Sequence, residues 1–336
     1  MNSVSDQLGR SLTDLRVSVT DRCNFRCRYC MPREHFDQEH GYLPRAEILS
    51  FEEIARVVSV LVPLGLRKLR LTGGEPLLRS ELHELVRLLR KEQPELEIAL
   101  TTNGSLLAKQ AQALRDAGLH RLTVSLDSLS PEVFARMTDS ELPVTEVLAG
   151  IEAAHAVGFG PIKINAVVRR GVNDHTIVEL ARHFKGSGDI VRFIEYMDVG
   201  LTNGWRMEHV LSGREIVARI GAELPLEAAS ANYAGEVAKR YRYLDGSGEI
   251  GVITSVSQPF CGDCGRLRLS ADGQLFGCLF ARVGTDLRTL LRSSTDDSAL
   301  TEHLGAFWRA RGDRYSELRS LGTRSLPRLE MSYLGG

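Results

Sequence analysis

The chain has 336 residues, 43% of them hydrophobic, which suffices for a packed core on the scale of two domains or one barrel with an appendage. Its 42 lysines and arginines nearly cancel 43 aspartates and glutamates, so no global basic surface argues for nucleic acid and any anion site must be a local cluster. No run approaches the roughly 18 apolar residues of a membrane span and residues 1–14 lack an apolar signal segment, so a cytoplasmic protein without membrane partners is expected.

In chain order, the first strand-like run is 15–20, and Cys23, Cys27 and Cys30 follow it in the spacing C-x-x-x-C-x-x-C. Three thiolates on one loop can hold three irons of a [4Fe-4S] cube, whose usual complement is four cysteines, leaving one iron open. The triplet alone also suits a zinc site completed by His35 or His40. Further strand-like runs lie at 68–72, 97–102, 122–126, 162–168 and 190–197, with helical patterns between most of them. Ser50 and Glu53 make a capping box for a helix through Leu61; Leu82, Leu85, Val86 and Leu89 keep helical spacing. Stretches 108–117 and 147–157 are closed by Gly118 and Gly158. Six β-then-α units in series require a parallel sheet with helices outside it, either doubly wound or a barrel two units short of eight. The Ala-rich, charge-poor stretch 221–235 marks a boundary between a core at 1–225 and a C-terminal domain at 226–336. There 237–244 and 249–255 read as one hairpin, and 266–270 with 274–278 as a second. The second hairpin returns Cys278 to the end where Cys264 begins, next to Cys261.

Ligands in parallel α/β folds gather at the carboxyl ends of the strands. The first cysteine triplet, Gly73-Gly74-Glu75-Pro76, Asn103-Gly104, Asp127 and Met197 all stand at such ends. Gly-Gly-Glu-Pro is also an ordinary turn, but its glycines let a ligand approach the backbone and Glu75 can accept from an ammonium group. Alternation places Arg16, Ser18 and Thr20 on one face of the first strand and Lys68, Arg70 and Thr72 on one face of the second. Thr101, Thr123, Ser125, Lys163 and Asn165 continue the pattern. Closed barrels usually fill their interior with bulky apolar side chains, so this face predicts a wet lumen in which Arg16, Arg70 and Lys163 hold an anion such as phosphate. A face turned to solvent is the alternative. The second set, Cys261, Cys264 and Cys278, again supplies three ligands, with a zinc site completed by His303 as its alternative; Arg266 and Arg268 alternate beside it.

Together these motifs resemble those of the radical S-adenosylmethionine (SAM) superfamily and, more closely, its GTP 3′,8-cyclase family. The resemblance spans nearly the whole chain: Asp14-Leu15-Arg16, 20–27, Tyr29-Cys30-Met31-Pro32, 72–76, 101–104, 124–127, Arg192-Phe193-Ile194-Glu195, the second cysteine set with Arg266-Leu267-Arg268, and Gly335-Gly336. It implies an α/β fold, an incomplete (β/α)6 TIM-like barrel with a smaller C-terminal iron-sulfur domain of antiparallel hairpins. Two [4Fe-4S] clusters are implied, on Cys23, Cys27 and Cys30 and on Cys261, Cys264 and Cys278, with SAM on the open iron of the first. Tyr29 would lie against the adenine, Gly74 would take the methionine moiety, and Ser125 and Met197 would complete that pocket. Arg16, Arg70, Thr101, Lys163, Arg266 and Arg268 match the family's GTP-contacting positions, Arg266 and Arg268 would also serve catalysis, and Gly335 and Gly336 would enter the lumen beside the SAM or GTP site to assist the radical step. The implied reaction splits SAM by one-electron reduction to methionine and a 5′-deoxyadenosyl radical, which removes hydrogen from ribose C3′ of GTP. The sugar radical joins C3′ to guanine C8, and one electron, supplied by the second cluster, and a proton then give (8S)-3′,8-cyclo-7,8-dihydroguanosine 5′-triphosphate, the first step of molybdenum cofactor biosynthesis. Cyclic pyranopterin monophosphate synthase is the implied functional partner. The rivals are a peptide- or protein-modifying radical SAM enzyme with an auxiliary cluster, and an electron-carrying iron-sulfur protein without turnover.

Overall fold

Six parallel strands hold the centre of the fold: β1 (Asp14–Ser18), β2 (Lys68–Thr72), β3 (Glu97–Thr102), β4 (Arg121–Ser125), β5 (Lys163–Val168) and β6 (Ile190–Glu195). They belong to a computed structural model that describes residues 3–37, 39–233, 235–319 and 328–335. Neighbours pair in sequence order and in parallel, the arrangement that β-then-α units in series dictate. The connections carry α1 (Phe51–Leu61), α2 (Leu82–Glu92), α3 (Leu107–Asp116), α4 (Pro131–Thr138), α5 (Val144–Ala156) and α6 (Ile177–Phe184), and α7 (Gly213–Glu223) follows β6. The capping box opening α1 is present: Ser50 Oγ accepts from the Glu53 N–H, and the Glu53 carboxylate accepts from the Ser50 N–H. Gly118 at φ +92° and Gly158 at φ +87° stop α3 and α5 with left-handed backbone that a side chain would strain. Helix α4 lies outside the expected elements; Ser130 caps it and Pro131 occupies its first turn.

Alternation along the strands decides what each face meets. Leu15, Val17, Leu69, Leu71, Val191 and Phe193 pack into one continuous core with the helices. The opposite, polar faces of β1 to β5 line a cavity rather than bulk solvent, so the strands enclose a polar-walled lumen.

Beyond α7, β7 (Leu226–Ala229), β8 (Lys239–Tyr243) and β9 (Glu249–Ile253) extend the sheet past β6. On the other side β10 (Arg266–Leu269), β11 (Gln274–Phe276) and β12 (Thr285–Asp286) extend it past β1. Both expected hairpins are there, β8 with β9 and β10 with β11. The strands that join the core, β9 against β6 and β10 against β1, do so in parallel. Residues after 225 therefore flank both edges of the core within one mixed twelve-stranded sheet. Among the described residues the remaining α-helices are α8 (Arg288–Ser293), α9 (Asp297–Arg309), α10 (Tyr315–Leu318) and α11 (Met331–Leu334). Helix α9 docks beside α1, where Arg56 Nε donates to Asp297 at 2.8 Å. Among the described residues no helix is long and apolar enough to cross a membrane.

Candidate active site

A cavity of about 630 Å³ opens inside the sheet, and all six cysteines line it. Cys23, Cys27 and Cys30 come from the loop after β1, and Cys261, Cys264 and Cys278 from the segments bracketing β10 and β11. His35, His40 and His303 do not line it, so neither triplet has the fourth zinc ligand considered above. Among the described residues the three sulfurs of each set are also not all within 4.8 Å of one another. Sulfurs sharing one tetrahedral zinc would stand about 3.8 Å apart with Zn–S bonds near 2.3 Å, whereas sulfurs on separate irons stand wider. Both donor sets fit a cluster better than a single ion.

The cysteine loop is shaped by the turn after β2. Gly74 N–H donates to Thr20 O at 2.9 Å and Glu75 N–H to Arg22 O at 2.7 Å. A side chain on Gly74 would lie 2.3 Å from Arg22 O and one on Gly73 2.4 Å from Thr20 O, so the two glycines are what lets the turn reach the loop. Glu75 is buried and accepts from Leu77 N, Asn103 N and Thr102 Oγ1. Burial nevertheless pushes its carboxyl up to about 7. Asp127 is likewise pushed up to about 7 by burial, while accepting from Val167 N and from the Tyr29 hydroxyl, each at 2.9 Å. Burial also raises the first-set thiols, Cys23 to about 11, with Glu75 adding to the effect on Cys23 and Asp127 to that on Cys27. Tyr29, Gly74, Ser125 and Met197 all line this part of the cavity.

Register builds the cationic wall. Arg16 is the direct partner of Arg70 on one side and of Arg268 on the other, so three guanidinium groups stand in one row across β2, β1 and β10. At a strand spacing of about 4.8 Å such a row is self-repelling. Burial and then Arg268, Arg70 and Arg266 hold Arg16 well below the ordinary arginine range, and burial with Arg192 brings Arg70 down to about 10. Arg70 Nη1 donates to Thr101 Oγ1 at 2.8 Å and Thr123 Oγ1 at 3.0 Å, two neutral acceptors that leave its charge uncompensated. An anion entering the lumen would relieve this repulsion. Lys163 stands apart: it lines a second cavity of about 310 Å³ that shares Arg121 and Arg192 with the first. Burial, then Arg192 and Lys68, push its ammonium down to about 7.

At the second cysteine set burial again pushes a thiol up, Cys278 to about 11, but Cys264 has guanidinium neighbours. Arg266 Nε donates to Cys264 Sγ at 3.3 Å, and Arg311 Nη2 donates to the same sulfur at 3.3 Å. Burial would raise the Cys264 thiol, but Arg266 and Arg311 outweigh it and bring it down to about 7. Gly335 reaches this wall too. Its carbonyl accepts from Arg268 Nη1, its φ is +74°, and a side chain there would lie 2.6 Å from Ser18 Oγ and 2.7 Å from Thr72 Cγ2. Gly336 lies outside the described residues.

Two contributors were not among the expected site residues, although Arg192 stands in a motif that carries the resemblance. Arg192 lines both cavities, and Gly251 beside it makes room, since a side chain there would lie 3.1 Å from Arg192 Cγ. The alternation that selected Lys163 and Asn165 also selects Arg192, which pairs with Asn165 in register. Arg311 carried no such signal, because it lies 47 residues from the cysteine it contacts.

Residues 17–184 match the family model of the radical SAM superfamily, and residues 189–317 match that of Molybdenum Cofactor Synthesis C. A GTP 3′,8-cyclase of Acidothermus cellulolyticus is 54% identical over 99% of both chains. Similar proteins of that name from Xanthomonas axonopodis pv. citri, 48% identical over 99% of both, and Staphylococcus carnosus, 45% identical over 100% of both, also match end to end. The chain belongs to the radical SAM superfamily and, within it, to the GTP 3′,8-cyclase family. Radical SAM membership implies a [4Fe-4S] cluster and SAM, and the three wide-set thiols of the β1 loop fit that cluster. Among solved structures, Streptococcus suis SuiB bound to S-adenosylmethionine shares the radical SAM fold, with a TM-score of 0.64 at 12% identity over 97% of this chain and 77% of that one.

Proposed function

We propose that this protein converts GTP, with SAM as cosubstrate, to (8S)-3′,8-cyclo-7,8-dihydroguanosine 5′-triphosphate, the opening step of molybdenum cofactor biosynthesis. The observation that carries this reading is the in-register row Arg70, Arg16 and Arg268 in one cavity with two three-cysteine sets, read together with relatives named GTP 3′,8-cyclase. Cys23, Cys27 and Cys30 hold the cluster that supplies one-electron reduction of SAM when bound. Glu75 accepts from the SAM ammonium, Tyr29 lies against the adenine with its hydroxyl fixed by Asp127, Gly74 lets the methionine moiety approach the backbone, and Ser125 and Met197 close that pocket.

Arg16, Arg70 and Lys163 take the triphosphate, with Arg192 joining them from β6. Thr101 supports Arg70, and Arg266 and Arg268 hold the nucleotide beside Cys261, Cys264 and Cys278, which hold a second [4Fe-4S] cluster. The tail at Gly335 and Gly336 assists turnover, with Gly335 held by Arg268. Enclosure by the sheet positions the ribose and excludes water, which is the protein's main contribution to a radical reaction. Cyclic pyranopterin monophosphate synthase would then consume the product.

Anaerobic incubation of reconstituted protein with SAM, a reductant and GTP, followed by product mass analysis, tests the reading. The cyclic nucleotide and stoichiometric 5′-deoxyadenosine are expected. Turnover on peptides with none on GTP would replace it with a peptide-modifying function, and no SAM cleavage with any substrate would leave an electron carrier.

A further inference from the structure

The second cysteine set is braced by three buried charges that none of the proposed catalytic roles uses: Asp6, Arg10 and Arg311. Asp6 Oδ2 accepts from Arg10 Nε at 2.6 Å and from Arg311 Nη1 at 2.9 Å. The two arginines then reach all three ligand segments through the backbone. Arg10 Nη1 donates to Cys261 O at 2.8 Å, Arg311 Nη1 to Cys264 O at 2.8 Å, and Arg311 Nε to Gly277 O, just before Cys278, at 2.8 Å. Arg311 Cζ lies over the Trp308 ring, 4.6 Å from its centroid, and Trp308 Nε1 donates to Arg10 O. Gly277 admits it: a side chain there would stand 3.2 Å from Arg311 Cδ and 2.5 Å from Asp313 Oδ2.

Asp6 is the buried counter-charge of the two arginines, and the partly exposed Asp313 carboxylate stands 3.7 Å from Arg311 Nε, so Arg311 is neutralised on that side while its far nitrogen points to the cysteine set. The group that Arg311's remaining nitrogen, Nη2, meets is Cys264 Sγ, at 3.3 Å. A sulfur bound to iron is an anion, and hydrogen bonds to cluster sulfurs, together with nearby cations, favour the reduced form. Arg266 approaches the same sulfur and both arginines border the cavity, but Arg311 is locked in place by Asp6 and by the Cys264 and Gly277 carbonyls.

We infer that Arg311 is a positioning residue for the second cluster, a fixed hydrogen-bond donor to its Cys264 sulfur that raises its reduction potential independently of substrate. This rests on the proposed second cluster. Anaerobically reconstituted wild type, Arg311→Lys and Arg311→Gln are compared by iron content and by redox titration followed by electron paramagnetic resonance. In Arg311→Gln, with eight irons retained, the reduced-to-oxidised ratio of the second cluster at the wild-type midpoint should fall about tenfold, about 59 mV for one electron. Arg311→Lys, which keeps the charge but not the planar fork, should fall less. The first cluster's midpoint and SAM cleavage without GTP should not move. An unchanged second midpoint in both variants, or loss of four irons from both, would overturn the proposal, the latter by showing a merely structural role. Wild type with about four irons and one zinc would instead defeat the second-cluster reading itself.

Discussion

Two sets of three cysteines face one cavity with different charged neighbours. The first is surrounded by buried carboxyls, Glu75 and Asp127, and its thiols are pushed up by burial. The second is surrounded by guanidinium groups, and Cys264 is brought down to about 7 against its own burial by Arg266 and Arg311. The donor atoms are the same, so the environment alone separates the two sites. Burial holds the protons of the first set tightly and does the same at Cys278, pushed up to about 11, so what distinguishes the second set is the single lowered thiol of Cys264. Cationic surroundings also favour the more negative, reduced form of a cluster, so the second site is expected to be the better electron acceptor of the two.

The largest effect that would break this contrast comes from the ligands. Cys27→Ser should abolish SAM cleavage, whereas Cys264→Ser should abolish GTP conversion yet leave the first cluster visible by electron paramagnetic resonance, with iron falling from about eight to about four per chain. Equal loss of SAM cleavage in both would mean that the two sets do not act separately.

Next comes the tail. Gly335 contacts Arg268 on the cationic side. Deleting Gly335 and Gly336 should therefore collapse product formation while leaving iron content and GTP affinity nearly intact. Normal cyclisation by the shortened protein would reduce the tail to packing.

The arginine row gives intermediate effects. Neutralising Arg16 or Arg70 should weaken GTP binding more than guanosine binding, by roughly 1 to 3 kcal/mol for each charged hydrogen bond lost. Calorimetry with both ligands checks this, and equal losses would contradict a triphosphate site.

The smallest effect is a pH dependence at Lys163. With its ammonium pushed down to about 7, the empty site loses this cation as pH rises through that value. GTP affinity should be highest with Lys163 protonated and decline from about pH 7 upward, while Lys163→Arg, which stays charged, should flatten the profile. Parallel profiles for wild type and variant would remove Lys163 from the site.

Local rules carried much of the architecture. Ser50 and Glu53 announced α1, Gly118 and Gly158 closed α3 and α5, and alternation on β1 to β5 exposed the polar lumen because a period of two leaves no other way to place Arg16 and Arg70 on a common face. Register made the reading sharper than alternation could: that Arg16 stands directly between Arg70 and Arg268 depends on β10 pairing with β1, a contact between residues some 250 positions apart. The same distance hid Arg311 and Asp6, whose types and spacing are those of any surface salt bridge until α9 and the N-terminal segment are brought together. Helix α4 was missed for a different reason, since its eight residues give too few turns for periodicity to register.

The pairing of β1 with β10 also sets an order of events during synthesis. Cys23 leaves the ribosome about 240 residues before Cys261, which at about 5–20 residues per second is roughly 12 to 48 s. Through that interval β1 has β2 on one side and a bare edge on the other, with Arg16 and the first cysteine loop beside it. An open edge is a hazard for misassembly, and it is also an entrance. Iron and sulfide can reach the first cysteines from the side before the hairpin of β10 and β11 seals the sheet, so the nascent chain offers its two cysteine sets to the cell one after the other.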